Sequence, residues 1–333
     1  MSEAALSAGG KRRIAASDLA IPAAICIIAA LPFFFTSSYW LSVLTLCALN
    51  VVLALGLNLI LGYAGQLNLG YSAFYGIGAY VATLLIKLAG FEYWLALLCG
   101  GLAAGIAGVG LAMFAVRLKG HYLGIASLGF ALVTYEILMN WVSLTQGPLG
   151  IYGVLPPPPI DIPGLVRITF VGSRSFFYLV AAVALVVYVL LNNLVRSPIG
   201  DNLRAIREDE VSAASLGINT AAWKIFAFGI GSMIAGIAGC LYASFVGTLV
   251  PDAFFITESF TLLAMVIVGG LASMPGAVAG AILLTVLPEA LRSIGDLRLV
   301  IFGLAMTLVV LFMPGGLMQA WDTLRARRLR GPA

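Results

Sequence analysis

The chain has 333 residues, of which 62% are hydrophobic and only 10% are charged, and its net charge is +4. Soluble domains average roughly 45–50% apolar and about 25% charged residues, so a soluble fold would leave apolar surface uncovered. The composition excludes a soluble enzyme and a basic nucleic-acid binder. Ten helical spans of about 20 residues each leave no room for a separate soluble catalytic or nucleotide-binding domain.

The apolar runs are continuous rather than alternating, which predicts membrane helices and not barrel strands. A polar tail, residues 1–18, carries Lys11, Arg12 and Arg13. The first run, about 19–36, contains Pro22 and Pro32 and lacks a small-residue cleavage pattern, so it reads as an uncleaved helix. Further runs lie at about 40–61, 67–88, 93–116, 122–144, 176–195, 223–247, 259–272, 276–292 and 298–314. The pair at 259–292 is short and broken by Gly269, Gly270, Pro275 and Gly276, which predicts half-spans or a re-entrant segment, so the count is eight to ten. The expected fold class is an all-α polytopic membrane protein, with a transmembrane domain at 19–314 and a basic tail at 315–333.

Positive residues orient the chain. With both termini in the cytoplasm, ten spans place 13 of the 18 Lys and Arg residues inside, including Lys11 to Arg13, Arg204, Arg207 and the four arginines at 325–330. Two loops are long. The outer one, 145–175, holds Pro156 to Pro159, a stiff polyproline stretch that serves as a connector or as a docking edge for an extracytoplasmic partner. The inner one, 196–222, is charged and amphipathic. Asp201 or Asn202 is expected to cap a helix there and Gly217 to end it, with Leu203, Ile206, Ala213 and Leu216 sharing a face. A helix this short needs a partner surface to be stable.

The most distinctive stretch is GLNLILGYAGQLNLGYSAFYGIGAY, residues 56–80. Polar side chains in a membrane segment are costly unless partnered, so Asn58, Gln66, Asn68 and Ser72 imply surroundings made of protein. Gly62, Gly65 and Gly70 weaken the helix between two spans. Two readings stand side by side. In one, small residues let helices pack closely; in the other, Gln66, Asn68, Tyr71, Ser72 and Tyr75 line a translocation path. Glu136, the acid set well inside a span, is a candidate for that path or a structural hydrogen-bonding residue. Gly76, Gly101, Gly105, Gly236, Gly239, Gly276 and Gly280 belong to small-residue pairs that favour close helix crossings. The four cysteines, Cys26, Cys47, Cys99 and Cys240, read as packing residues, and the single His121 cannot build a metal cluster.

Phosphate-loop and HExxH motifs are missing from the sequence, so neither ATP binding by that loop nor zinc hydrolysis is expected, and no metal or cofactor is assigned. Three classes remain: a transporter subunit that draws energy from a partner, a self-sufficient secondary transporter, and a membrane enzyme. The charged inner loop favours the first. The scarcity of buried charge weighs against the second, and the lack of reactive groups against the third.

The long motif at 56–80 resembles the signature of the branched-chain amino acid ABC transporter permease family. GHYLGI (120–125), TQGPLGI (145–151), SPIGDNLRAIREDEVSAASLGIN (197–219) and VGGLASMPGAVAGAIL (268–283) resemble it too. Their order and spacing are similar to the M-type (LivM) subunits rather than the H-type paralogues, over roughly 45–315. The resemblance implies a non-catalytic permease of a bacterial inner membrane. It would be paired with an H-type permease, two cytoplasmic ATPase subunits that bind the ATP, and a periplasmic solute-binding protein. The cargo would be leucine, isoleucine or valine, with urea, short amides or other amino acids served by related permeases. The resemblance also implies a coupling helix for the ATPase at about 201–217. Asp201, Arg204, Ile206, Arg207, Glu208, Glu210, Ala213, Ala214 and Gly217 are its candidate residues. The segment departs from the EAA–G form of other importers: Ala213, Ala214 and Gly217 match, but the glutamate-first pattern is out of register.

Overall fold

The structure, a computed structural model, describes residues 32, 37–115, 121–161, 167–170, 172–292, 303, 304, 307 and 316–318. The expected first and last spans, 19–36 and 298–314, and both tails lie almost wholly outside the described residues. Among those residues, seven helices are long and apolar enough to cross a membrane. They are α1 (Ser38–Leu57, continued by a wider π turn, Asn58–Tyr63), α2 (Tyr71–Ala89), α3 (Tyr93–Ala115) and α4 (His121–Asn140). A short α5 (Val142–Thr145) precedes α6 (Ser173–Val195). Two short helices, α7 (Pro198–Glu208) and α8 (Glu210–Ser215), lead into α9 (Thr220–Val246). The seventh span is Pro251–Gly269, a 3-10 turn followed by α10 (Ile256–Gly269). An eighth apolar helix, α11 (Met274–Ala290), is 17 residues long. The chain is therefore an all-α, multi-pass membrane protein.

Size, not polarity, separates the inside of α3 from its outside. Leu95, Leu98, Leu102 and Ile106 recur at helical spacing and are exposed, while Ala96, Ala104 and Ala112 are buried. In lipid the large apolar groups gain nothing from hiding, so close van der Waals packing of small residues holds the helices together. Glycines lie where α2, α3 and α9 cross. A Cβ on Gly78 would strike the backbone of Gly236, and one on Gly236 would sit 2.6 Å from Ala104 Cβ and 2.9 Å from the Gly100 carbonyl. Gly101 and Gly105 meet Met233 and Ile237 of α9, Gly76 meets Phe254, and Gly239 meets the Tyr75 carbonyl. The α10–α11 hairpin is built the same way: a Cβ on Gly276 would lie 2.6 Å from the Gly269 carbonyl, and one on Gly280 would strike Met265 and Gly269.

The two ends of the bundle differ. One end carries α7 and α8, the π turn and the connection from residue 64 to 70. At the other end β1 (Ile151–Tyr152) pairs antiparallel with β4 (Thr248–Leu249), and β2 (Ile160–Asp161) pairs with β3 (Arg167–Ile168). Lys87 at the end of α2 donates to the Tyr152 carbonyl, and Arg292 donates to Tyr39 Oη at 2.6 Å. Residues 153–159, with the four prolines, run between β1 and β2 without regular structure. Cys47 and Cys240 are buried free thiols and Cys99 is partly exposed; Cys26 and the side chain of His121 lie outside the described residues.

The inner loop differs from the single helix that the sequence suggested. Ser197, not Asp201 or Asn202, caps α7, accepting the Ile199 N–H at 3.3 Å, and Pro198 occupies the first helical position. Asp209 then adopts extended backbone (φ −155°, ψ 111°) and breaks the helix. Its carboxylate accepts the Val211 and Ser212 N–H groups at 2.8 and 2.9 Å, capping α8. The break resets the helical phase. Leu203, Ile206 and Ala213 are buried against the bundle, but Leu216 is 81% exposed instead of sharing their face. Gly217 ends α8 at φ +84°, a conformation few side chains tolerate.

Candidate functional site at the break between α1 and α2

Between α1 and α2 the polypeptide leaves the helix without leaving the protein. The π turn widens the end of α1, and the Ala64 and Gln66 N–H groups reach back to the Leu59 and Ile60 carbonyls at 3.1 and 3.0 Å. Gly65 then turns the chain at φ +66°. Irregular backbone inside a membrane is stable only when buried protein satisfies its polar groups. Three neighbouring elements pack against it.

The α10–α11 hairpin is the first. Asn58, fully buried, acts as a peptide bridge: its Oδ1 accepts the Ala272 N–H and its Nδ2 donates to the Ser273 carbonyl, both at 3.1 Å. The turn needs that support, since Ala272 is a non-glycine residue at φ +57°. Gly62 makes the approach possible, because a Cβ there would strike Asn58 and the Ala272 nitrogen.

From α4 comes Ser127, whose Oγ accepts the Leu69 N–H at 2.9 Å and donates to the Gly124 carbonyl at 2.9 Å. A Cβ on Gly70 would fall on the Ser127 carbonyl. Asn68 folds its Oδ1 over the Gly70 N–H at 2.9 Å, which starts α2. Asn68 is completely buried and Gln66 is 5% exposed, yet Asn68 Nδ2 and Gln66 Nε2 have no hydrogen-bond partner among the described residues. An unpaired buried donor costs about 1–3 kcal/mol, so two within three residues call for an explanation.

The α7–α8 loop is the third element. Arg204 donates to the Val195 carbonyl at 2.9 Å, pairs with Asp201 at 2.9 Å, and stands over the Tyr63 ring at 5.6 Å. The Cα and Cγ of Arg207 pack on Gly65. Lys224 ties Glu210 to the start of α9 at 2.6 Å. The anchored loop then presents Val211 and Leu216, 79% and 81% exposed, together with Glu208, Ala214 and Gly217.

The other residues expected on a path fall into two groups. Tyr71 is fully buried and its Oη donates to the Gly231 carbonyl at 2.8 Å. The Ser72 N–H donates to Ser259 Oγ, which in turn donates to Ser72 Oγ, both at 2.8 Å. Tyr75, one turn on, packs on Phe254 and Tyr242 with ring centroids 5.0 and 5.5 Å away. These three join α2 to α9 and α10 beside the break. Glu136 is elsewhere. It lies on α4 nine residues beyond Ser127, roughly 13 Å along the axis, one turn from the end of the helix. It is exposed, and Asn140 Nδ2 donates to its carboxylate at 2.9 Å. Because α4 stops at Asn140, Glu136 is near a span end rather than deep within a span. Ser127 and Ser259 carry no motif, each having only its polarity inside an apolar run to mark it; Val211 and Leu216 lie within the motif at 197–219, but their exposure was not evident from it.

A bundle of this kind, with a buried polar break and an anchored charged loop at one end, is a multi-pass membrane protein. A family model described as "Branched-chain amino acid transport system / permease component" matches residues 39–312. The chain belongs to that family. It is 34% identical over 313 residues to the high-affinity branched-chain amino acid transport system permease protein LivM of Escherichia coli, covering 89% of this chain and 73% of the relative. The LivM protein of Salmonella typhimurium gives the same figures. The LivH protein of Salmonella typhimurium is 29% identical over 265 residues, covering 73% of this chain and 82% of the relative. No solved structure matches. The chain is of the LivM type.

Proposed function

We propose that this chain is the M-type permease subunit of an ATP-driven importer that carries leucine, isoleucine and valine across the inner membrane into the cytoplasm. In this reading it pairs with an H-type permease. A periplasmic binding protein delivers the solute at the β1–β4 end, and two ATPase subunits act at the α7–α8 end. Family membership supports the cargo. The basic residues Arg204, Arg207 and Lys224 near the α7 end support that end as cytoplasmic.

The observation that carries the coupling assignment is the pair Val211 and Leu216, large apolar side chains left bare on a loop that is otherwise anchored. Leu203, Ile206 and Ala213 fasten the loop to the bundle, and Arg204 and Arg207 fasten it to the break. An ATPase that grips α8 would therefore pull on the α1–α2 connection directly. Its differential affinity for two arrangements of the bundle would bias alternating access. Gln66 and Asn68 would touch the solute, with Tyr71, Ser72 and Tyr75 shaping their surroundings and Glu136 facing the opposite mouth.

The test is Val211→Asp with Leu216→Asp in the reconstituted importer. The reading expects ATP-driven leucine uptake to fall at least tenfold with the unfolding temperature of the permease unchanged, since neither side chain is packed. Full uptake by the double variant would refute the coupling assignment.

A further inference from the structure

We infer that the two unpaired amide groups, Gln66 Nε2 and Asn68 Nδ2, with the N-terminus of α2 form a binding site for the carboxylate of the transported amino acid. This rests on the import function proposed above and assigns a chemical role to one end of the cargo.

Four observations carry it. The side chain of Asn68 is held in place, because its Oδ1 already accepts the Gly70 N–H; its Nδ2 is thereby fixed as a donor with nothing to donate to. Gln66 Nε2 is buried without a partner two residues away, and chain geometry keeps the two Cα atoms within about 7 Å. One ligand with two acceptor oxygens would satisfy both amides. The third observation concerns charge. The 19-residue α2 starts at Tyr71 with no acidic residue in its first turn, so its positive end is not offset by a side chain of its own. That end selects a carboxylate over a neutral carbonyl. The fourth concerns the neighbours. Neighbouring polar groups of the break have partners inside the protein: Leu69 N–H on Ser127, Ser72 N–H on Ser259, and the Asn58 amide on the α10–α11 turn. Of the four buried side-chain groups without a partner among the described residues, Gln66 Nε2 and Asn68 Nδ2 are two residues apart, whereas Tyr93 Oη and Ser232 Oγ lie on α3 and α9.

The site is closed in this arrangement, since both nitrogens are buried. Beside it, Arg207 of α7 packs on Gly65, the residue before Gln66, where an added Cβ would lie 3.0 Å from Arg207 Cγ. Withdrawal of α7 by an ATPase would uncover the site toward the α7 end. Carboxylate release would then be tied to the power stroke.

The experiment uses the assembled importer, with its H-type, ATPase and binding-protein partners, in proteoliposomes. Leucine uptake and the unfolding temperature are measured for wild type, Gln66→Met and Asn68→Asp, and leucine is sought by cryo-electron microscopy of the assembly trapped with ATP. Gln66→Met removes an unpaired donor at nearly constant volume. It should lower uptake at least tenfold while leaving the unfolding temperature unchanged or raised, which a structural glutamine would not do. Asn68→Asp keeps the bond to Gly70 but opposes the cargo's charge, and should lower uptake more than Gln66→Met does. The map should show the leucine carboxylate at both amides. Normal uptake by Gln66→Met overturns the inference, as does a fall in uptake matched by a fall in unfolding temperature, or ordered water alone at the two amides. Failure of the wild type to take up leucine with ATP overturns the proposed function itself, and so separates the two claims.

Discussion

Asn58 gives the sharpest stability prediction. In Asn58→Ala the α10–α11 turn loses both hydrogen bonds of the bridge, leaving the Ala272 N–H unpaired, while the Ser273 carbonyl keeps the Ala277 N–H at 3.0 Å. The partly buried orphan costs roughly 1–2 kcal/mol and the lost bond to Ser273 about 0.5–1.5 kcal/mol, so the change costs about 1.5–3.5 kcal/mol. The strained backbone of Ala272 at φ +57° also loses its brace. Asn50 provides the control: its Nδ2 donates to Thr285 Oγ1 at 2.9 Å, while that hydroxyl still donates to the Ala281 carbonyl at 2.7 Å. Asn50→Ala should therefore cost only about 0.5–1.5 kcal/mol. Thermal unfolding in detergent, followed by intrinsic fluorescence, should show Asn58→Ala lowering the midpoint by roughly 4–9 °C and Asn50→Ala by no more than a few degrees. A shift for Asn58→Ala equal to or smaller than that for Asn50→Ala would refute the view that this residue holds the hairpin to the break.

Three further predictions follow from contacts elsewhere. Gly236→Ala places a methyl group 2.6 Å from Ala104 Cβ and should destabilise the α3–α9 crossing by about 1–3 kcal/mol, seen as loss of monodisperse protein on size exclusion. Gly110→Ala, in the same α3 but with nothing within 4 Å of the new methyl, should instead raise the unfolding midpoint, by up to about 1 kcal/mol of helix propensity. Asp209→Ala removes the cap of α8, costing about 1 kcal/mol locally, and should increase hydrogen exchange at Val211 and Ser212 without affecting α9.

Much of the span pattern was legible because membrane helices obey one rule, a continuous apolar run of sufficient length. Among the described residues six runs appear as full spans, and the doubtful pair at 259–292 resolves into a hairpin of α10, in the seventh span, and the shorter α11. The polar residues of 56–80 were legible as buried, because polarity inside a span demands partners, but their partners were not. Asn58 meets a turn more than 210 residues away in sequence, and no local pattern encodes that distance. The inner loop misled for a different reason. Helical periodicity assumes one uninterrupted phase, and the extended backbone at Asp209 divides that phase in two. Leu216 therefore turns outward, and the apolar surface open to a partner belongs to α8 rather than to the face shared by Leu203 and Ile206. Glu136 looked central because the apolar run continues to 144, whereas the helix stops at Asn140, ahead of the separate α5.

The central claim is that this chain supplies a path and a lever while a partner supplies the energy. Radiolabelled leucine uptake into proteoliposomes carrying the assembled importer tests it most directly, with ATP inside the vesicles or with a proton or sodium gradient and no ATP. Uptake should require ATP and the ATPase subunits and be indifferent to the gradients. Leucine accumulation by the permease subunits alone, driven by an ion gradient, would contradict it.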